Sequence, residues 1–278
     1  MKIAVIVPTR GDRPKFLQQC HKLIARQTRK PDEIIVIDYA PKGGMKDITQ
    51  RYRKGVEMAT KRGCAAAIFW EDDDWYHPTY IEWLLNAWSK HKHPPVFGVS
   101  ETYYYHICAN SRLYMGHAGR TSAFCTLVKL PYKYSWPADH YAFLDMHFHK
   151  KGLVTAIKFP KDKILAIGIK HGVGYTGGGG HNARFKWDML GEDARQWFTK
   201  HMDGELKFYD DLAKTLPKVN ALKTNINKRN NRYQGSVTVT KKVKVQNGSK
   251  IIRKKVTSVS PSTQLQRRGR KITKVRRK

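Results

Sequence analysis

The chain has 278 residues, with 53 Lys or Arg against 22 Asp or Glu, a formal net charge of +31. A hydrophobic content of 40% is enough for one sizeable core, and no apolar stretch approaches the ~20 residues that span a bilayer. Four scattered cysteines (Cys20, Cys64, Cys108, Cys125) show no Cys-x-x-Cys spacing, which argues against a disulfide frame or zinc site and for a reducing, cytoplasmic setting.

Met1 to Pro8 lacks the long apolar region of a secretion signal. Ile3 to Val7 reads instead as a buried strand, stopped by Pro8. Thr9-Arg10-Gly11-Asp12-Arg13-Pro14 is a turn whose Asp12 can cap the next helix, where Phe16, Leu17, Cys20, Leu23 and Ile24 recur at helical spacing. Ile34 to Ile37 is a second buried strand, ending at Asp38. A loop with Gly43-Gly44 leads to a helix carrying Ile48, Tyr52, Val56 and Ala59. The run Ala65 to Trp70 is a third strand, and Glu71-Asp72-Asp73-Asp74 follows it directly. Pro78 suits the first turn of a helix with Tyr80, Ile81, Leu84, Leu85 and Trp88 on one face, for which Asp74 is the expected cap.

Three strand–helix units in about 90 residues imply a parallel sheet with helices on its faces. In such sheets ligands bind beyond the carboxyl ends of the strands. Thr9, Asp38 and the acidic quartet all stand at such ends, so the sequence gathers them around one crevice. Four adjacent acids at the end of a buried strand repel one another and call for a cation or a hydrogen-bond network.

From Val96 to Leu130 the pattern turns strand-rich, with Tyr103-Tyr104-Tyr105, Arg112 to Met115 and Ala123 to Leu130. A helix is expected over 140–151, strands near 153–157 and 164–169, and helices over 188–201 and 204–214. Between them, the four glycines Gly177–Gly180 after His171 suggest a mobile loop. From about residue 219 the composition changes. Val237 to Val259 around Asn247-Gly248 has the look of a hairpin, and 260–278 reads as disordered when alone. After Asp211 there are 21 Lys or Arg and no acid, leaving +10 on residues 1–211 and +21 on the rest. A basic tail of this kind suits a polyanion, most simply nucleic acid, with an anionic membrane second. The expected organisation is a domain over 1–218, with halves 1–95 and 96–218, and a basic extension over 219–278.

Val7-Pro8-Thr9 at the first strand end, Asp38 at the second, and Glu71-Asp72-Asp73-Asp74-Trp75-Tyr76-His77-Pro78 together resemble family 2 glycosyltransferases of the GT-A fold. The likeness covers roughly residues 1–180. That resemblance implies an α/β GT-A fold, Rossmann-like, with a mostly parallel sheet flanked by helices. It also implies Mn²⁺ or Mg²⁺ and a nucleotide-diphosphate sugar donor, with UDP-sugars first in line. Pro8, Thr9, Arg10, Asp38, Glu71 and Asp72 would contact the donor, and Asp73 and His171 would ligate the metal. Inversion at the anomeric carbon needs a base, which falls to Asp139, with Asp145 in reserve. This chain departs from the family in having Glu71 for the commoner Asp and no Glu before Asp139. It also lacks the tryptophan-containing motif of processive polymerases, which argues for single transfer.

The expected activity is transfer of one sugar to a hydroxyl on nucleic acid, such as a hydroxymethylated base in bacteriophage DNA, in the host cytoplasm. The Tyr, Trp and His residues of 101–149 are candidates for a base-stacking pocket. Two other readings are a glycosyltransferase acting on cell-surface polysaccharide or lipid-linked glycan, and a non-catalytic nucleic-acid-binding protein on a transferase scaffold.

Overall fold

The computed structural model describes residues 1–39, 47–117, 119–140, 144, 147, 153–172 and 188–216. Strands β1 (Ile3–Thr9), β2 (Glu33–Asp38) and β3 (Ala66–Phe69) pair in parallel with β1 central, so Thr9 lies beside Asp38. All seven residues of β1 are buried, because helices cover both faces of the sheet. Ile3, Val5 and Val7 join one core with helix α1 (Pro14–Ala25) and α3 (Tyr80–Lys90). Ala4 and Ile6 point the other way, into a core with α2 (Ile48–Lys61). Two buried faces explain why β1 and β3 read as continuous apolar runs rather than alternating ones. β2, expected to be buried, is instead the edge strand, with Ile35 and Ile37 buried and Ile34 exposed.

Strand β4 (Trp75–Tyr76) follows the acidic quartet and pairs antiparallel with β9 (Ala166–Lys170). Beyond it the sheet is organised by β5 (Val96–His106), an 11-residue strand. Its first half runs between β7 (Thr126–Lys129), antiparallel, and β8 (Val154–Lys158), parallel. Its second half runs between β6 (Ser111–Gly116), antiparallel, and β9, parallel. A register shift between Val99 and Glu101 separates the halves, as a bulge does when a strand changes partners. The short β10 (Asp188–Met189) extends β6, and α4 (Glu192–His201) and α5 (Leu206–Ala213) close the chain's described part. The α/β architecture, with helices flanking a central sheet, is the one expected from the sequence. No helix among the described residues is long and apolar enough to cross a membrane.

Three local expectations are corrected. Asp12 does not cap α1, whose N-cap is Arg13 without a side-chain cap bond; Asp12 instead pairs with Arg10 at 2.8 Å. Asp74 does not cap α3, because its Oδ1 accepts the Ile169 amide of β9 at 2.6 Å. Tyr104 and Tyr105 are core residues, not a stacking pocket, and Tyr103 packs on Trp197. The helix over 140–151 (apart from Leu144 and His147), the glycine run 177–180 and the tail 219–278 lie outside the described residues.

Gly98 marks the tightest approach in the sheet. A Cβ there would stand 2.0 Å from the Cys125 carbonyl oxygen, which is backbone and cannot swing aside. Gly98→Ala is therefore expected to cost about 3 kcal/mol, the upper end for overpacking. Urea unfolding checks this, and a loss below about 0.5 kcal/mol would mean that β5 and the segment before β7 are not so close.

Candidate active site

The site forms where the carboxyl ends of β1, β2 and β3 meet the start of β4. Its base is rigid. Trp70 stacks on Tyr76 with ring centroids 3.7 Å apart. The Tyr76 hydroxyl accepts the Glu71 amide at 3.0 Å and donates to the Phe124 carbonyl at 3.0 Å. Trp75 Nε1 donates to Glu205 at 2.9 Å, and Arg26 pairs with the same carboxylate at 2.9 Å. The quartet is thus presented by a turn whose backbone is fixed by aromatic side chains on both sides.

Arg13, from the turn after β1, forks across two of the acids. Its two terminal nitrogens lie 2.6 Å from Asp72 Oδ1 and 2.6 Å from Asp73 Oδ2. His171, at the end of β9, reaches the same Asp73 oxygen through Nε2 at 2.8 Å and lies 3.3 Å from Arg13. The imidazole also packs on Phe16, centroid to centroid 4.6 Å, and the backbone carbonyl of His171 accepts the Cys108 thiol. Lys170, 7% exposed, adds a second buried cation to the field of Glu71, Asp73 and Asp74, with its ammonium over the Tyr104 ring.

These neighbours drive the four acids apart. Burial, and then the charge of Asp73, pushes the carboxyls of Glu71 and Asp72 up to about 7. Burial, followed by Glu71 and Asp73, holds Asp74 well above the usual carboxylate range. Burial opposes ionisation of Asp73 too, but Arg13, His171 and Lys170 outweigh it and hold Asp73 well below that range. Asp73 is therefore the acid of the group whose neighbours most favour its ionised form.

Glu71, Asp73 and Asp74 each offer an oxygen within 4.8 Å of the others. Four carboxyls stand beside two close cations, Arg13 and Lys170, and burial and mutual repulsion oppose ionisation of Glu71, Asp72 and Asp74, so ionising all four calls for further positive charge. The buried Asp74 also keeps its second oxygen without a hydrogen-bond partner among the described residues. Two ligands on one octahedral Mg²⁺-like ion, with bonds of 2.0–2.1 Å, stand about 3 Å apart. The oxygens of Glu71, Asp73 and Asp74, within 4.8 Å of one another, can close to that spacing by side-chain rotation, and His171 Nε2 stands 2.8 Å from Asp73 Oδ2 as its hydrogen-bond partner. Hard carboxylate oxygens with one imidazole suit Mg²⁺ or Mn²⁺. The residues present fit a divalent cation.

The other expected residues are arranged around this centre. Thr9 is buried beside Asp72 and paired in register with Asp38. Pro8 lies behind it in β1. Asp38 is exposed, and its carboxylate approaches Gly11, whose φ of +73° and missing Cβ allow the contact. Arg10 turns to Asp12. Asp139 is 40% exposed and bonded through Oδ2 to Arg53 at 2.9 Å and Gln50 at 3.4 Å, both on α2. Gln50 also receives the Tyr39 hydroxyl, which sets Asp139 on the Asp38 side of the site. Asp145 lies outside the described residues.

Three residues here were not anticipated. Arg13 and Lys170 are the cations that neutralise the block, and Arg51 is a buried clamp. The Arg51 guanidinium donates to the Thr9, Ile37 and Tyr39 carbonyls and to Asp47, tying the carboxyl ends of β1 and β2 together. The signal for Lys170 was in the sequence, as the one charge closing the apolar Ala166-Ile167-Gly168-Ile169 run.

No protein-family model matches the chain, and no curated protein matches it. Among solved structures, TarS 1-349 of S. aureus in complex with UDP aligns over 62% of this chain and 61% of that chain, at 13% identity and a TM-score of 0.38. The same protein with UDP-GlcNAc aligns over 75% of this chain and 73% of that one, at 12% identity and a TM-score of 0.39. A197 from STIV aligns over 59% of this chain and 89% of its own, at 12% identity and a TM-score of 0.37. The chain thus spans less than two thirds of TarS 1-349 in its UDP complex.

Proposed function

We propose that the chain is a divalent-metal-dependent glycosyltransferase that moves one sugar from a nucleotide-diphosphate donor to a hydroxyl on nucleic acid. The observation that carries the reading is the acidic block itself. It has an excess of carboxylates over fixed cations, an unpartnered buried Asp74 oxygen, and a place at the carboxyl edge of an α/β sheet.

In this reading Asp73 and His171 hold the ion, with Glu71 and Asp74 completing the oxygen set. When bound, the ion stabilises the charge that gathers on the departing nucleoside diphosphate. Asp38 and Thr9 orient the nucleoside end of the donor, and Pro8 and Asp72 shape the floor beneath it. Arg10, on the exposed turn, is at hand for a phosphate oxygen. The acceptor oxygen attacks the anomeric carbon as the bond from that carbon to the diphosphate breaks. The hydroxyl proton passes to a carboxylate of the 139–145 segment.

The acceptor is assigned from charge. A +31 chain whose last 67 residues carry +21 attracts a polyanion and suits nucleic acid, with a modified base in DNA as the specific target. Purified protein with radiolabelled UDP-sugars, Mn²⁺ and hydroxymethylated DNA is expected to label the DNA. Label that enters only glycan or lipid fractions would transfer the reading to a surface-polysaccharide enzyme. In the same assay, Asp139→Asn and Asp145→Asn separate the two candidate bases. The true base is expected to cost about 10²-fold or more in kcat, and the other little. Equal, small effects from both would remove the segment from the chemistry.

A further inference from the structure

Two arginines flank the site, Arg51 buried and Arg13 12% exposed, and they are held in different ways. Arg51 spends its donors chiefly on backbone carbonyls of two strands, partners that never move or titrate. Among the described residues, the Arg13 guanidinium is held by side chains: Asp72, Asp73 and His171, with the Phe16 ring 5.9 Å away. Its Nε has no hydrogen-bond partner among the described residues, and its nearest other acid is Asp12 at 4.0 Å. The residue stands in the turn between β1 and α1, as the N-cap just before Pro14, with no side-chain cap bond to fix it.

The group it touches is the one a divalent ion would use. Asp73 Oδ2 accepts from Arg13 and from His171 at once, so the guanidinium sits against the very pair expected to ligate the metal. A cation in that position meets an incoming ion as a like charge at short range, where little water screens the repulsion. The two cannot share Asp73 Oδ2 without strong repulsion.

We propose that Arg13 is a tethered counter-cation that holds Asp72 and Asp73 until a divalent ion binds, and that the ion displaces it from Asp73. This rests on the metal reading of the acidic block given above. It assigns Arg13 a role that neither the strand-end motif nor the acidic motif implies. Displacement frees the Nη1 end of the guanidinium while Nη2 stays on Asp72, leaving a charged donor beside the ion for a phosphate oxygen.

The test is Mn²⁺ affinity of the full-length protein, measured by calorimetry and by the free-Mn²⁺ electron paramagnetic resonance signal, for wild type, Arg13→Gln and Arg13→Lys. Loss of the competing charge is expected to tighten Mn²⁺ binding about tenfold or more in Arg13→Gln, with Arg13→Lys close to wild type. Without metal, Arg13→Gln is expected to melt several degrees lower, since two buried carboxylates lose their partner. Mn²⁺ should return it to the wild-type range, because an ion that binds the folded state more tightly stabilises it more. Mn²⁺ binding to Arg13→Gln but not to wild type would also support the displacement. Equal or weaker Mn²⁺ binding in Arg13→Gln would overturn the proposal and leave the metal reading standing. No binding to any of the three proteins would overturn both.

Discussion

Asp73→Asn is expected to lower sugar transfer by about 10²–10³-fold while leaving the fold intact. The substitution keeps the shape of the side chain but removes the carboxylate whose ionised form Arg13, His171 and Lys170 favour. Electrostatic groups aimed at charge developing in a transition state contribute effects of this size. Arg13 keeps Asp72 as a partner at 2.6 Å, and the quartet's backbone stays locked by Tyr76, so stability should change little. The check is a transfer assay run beside a thermal melt. Activity within about threefold of wild type would mean that Asp73 serves the fold and not the reaction.

The largest effect on stability is expected at Arg51. Replacing it with methionine keeps much of the buried volume but removes donors to the Thr9, Ile37 and Tyr39 carbonyls and leaves Asp47 unpaired. Breaking a buried charged group of this kind costs about 3–5 kcal/mol. Arg51→Lys keeps the charge but cannot fork across both strand ends, so it should recover only part of the loss. Since Arg51 sets the strand ends that carry Thr9 and Asp38, donor affinity should fall in Arg51→Lys even where the protein remains folded. Urea unfolding and nucleotide titration read the two effects separately. A loss under about 1 kcal/mol in Arg51→Met would show that the strand ends hold themselves.

What the sequence disclosed about this molecule, and what it hid, divides by range. The first three strands were readable because each is a short β-branched or apolar run bounded by Pro8, Asp38 or the acids; β1 and β3 are buried on both faces, whereas β2 is an edge strand whose Ile34 is exposed. The helices were readable from their buried stripes, Phe16, Cys20 and Leu23 in α1 and Ile81, Leu84 and Trp88 in α3. Short-range rules failed where a distant strand competed for the same group. Asp74 looked like a helix cap four residues before Pro78, but it is taken by Ile169, 95 residues away. Trp75 and Tyr76 looked like part of a motif, but they form a strand because β9 is there to pair with them. Likewise β5 serves four neighbours, which no local pattern in Val96 to His106 announces.

The site follows the same division. The acids and Asp38 stood out as carboxylates at strand ends. Arg13 did not, because its partners lie 59, 60 and 158 residues on. The sequence placed it only in the turn from Thr9 to Pro14, and the donor contact went to Arg10. Arg10 is instead the arginine paired to Asp12, and Arg13 is the one drawn into the block, 12% exposed.

The central claim is that the acidic block holds a divalent ion that in turn holds a nucleoside diphosphate. Calorimetric titration of UDP into the full-length protein, with Mn²⁺ and with chelator, tests it most directly. The account predicts binding with Mn²⁺ that weakens at least about tenfold in chelator, and the same loss in Asp73→Asn with Mn²⁺ present. UDP affinity that is the same with and without the ion, and in Asp73→Asn, would contradict it.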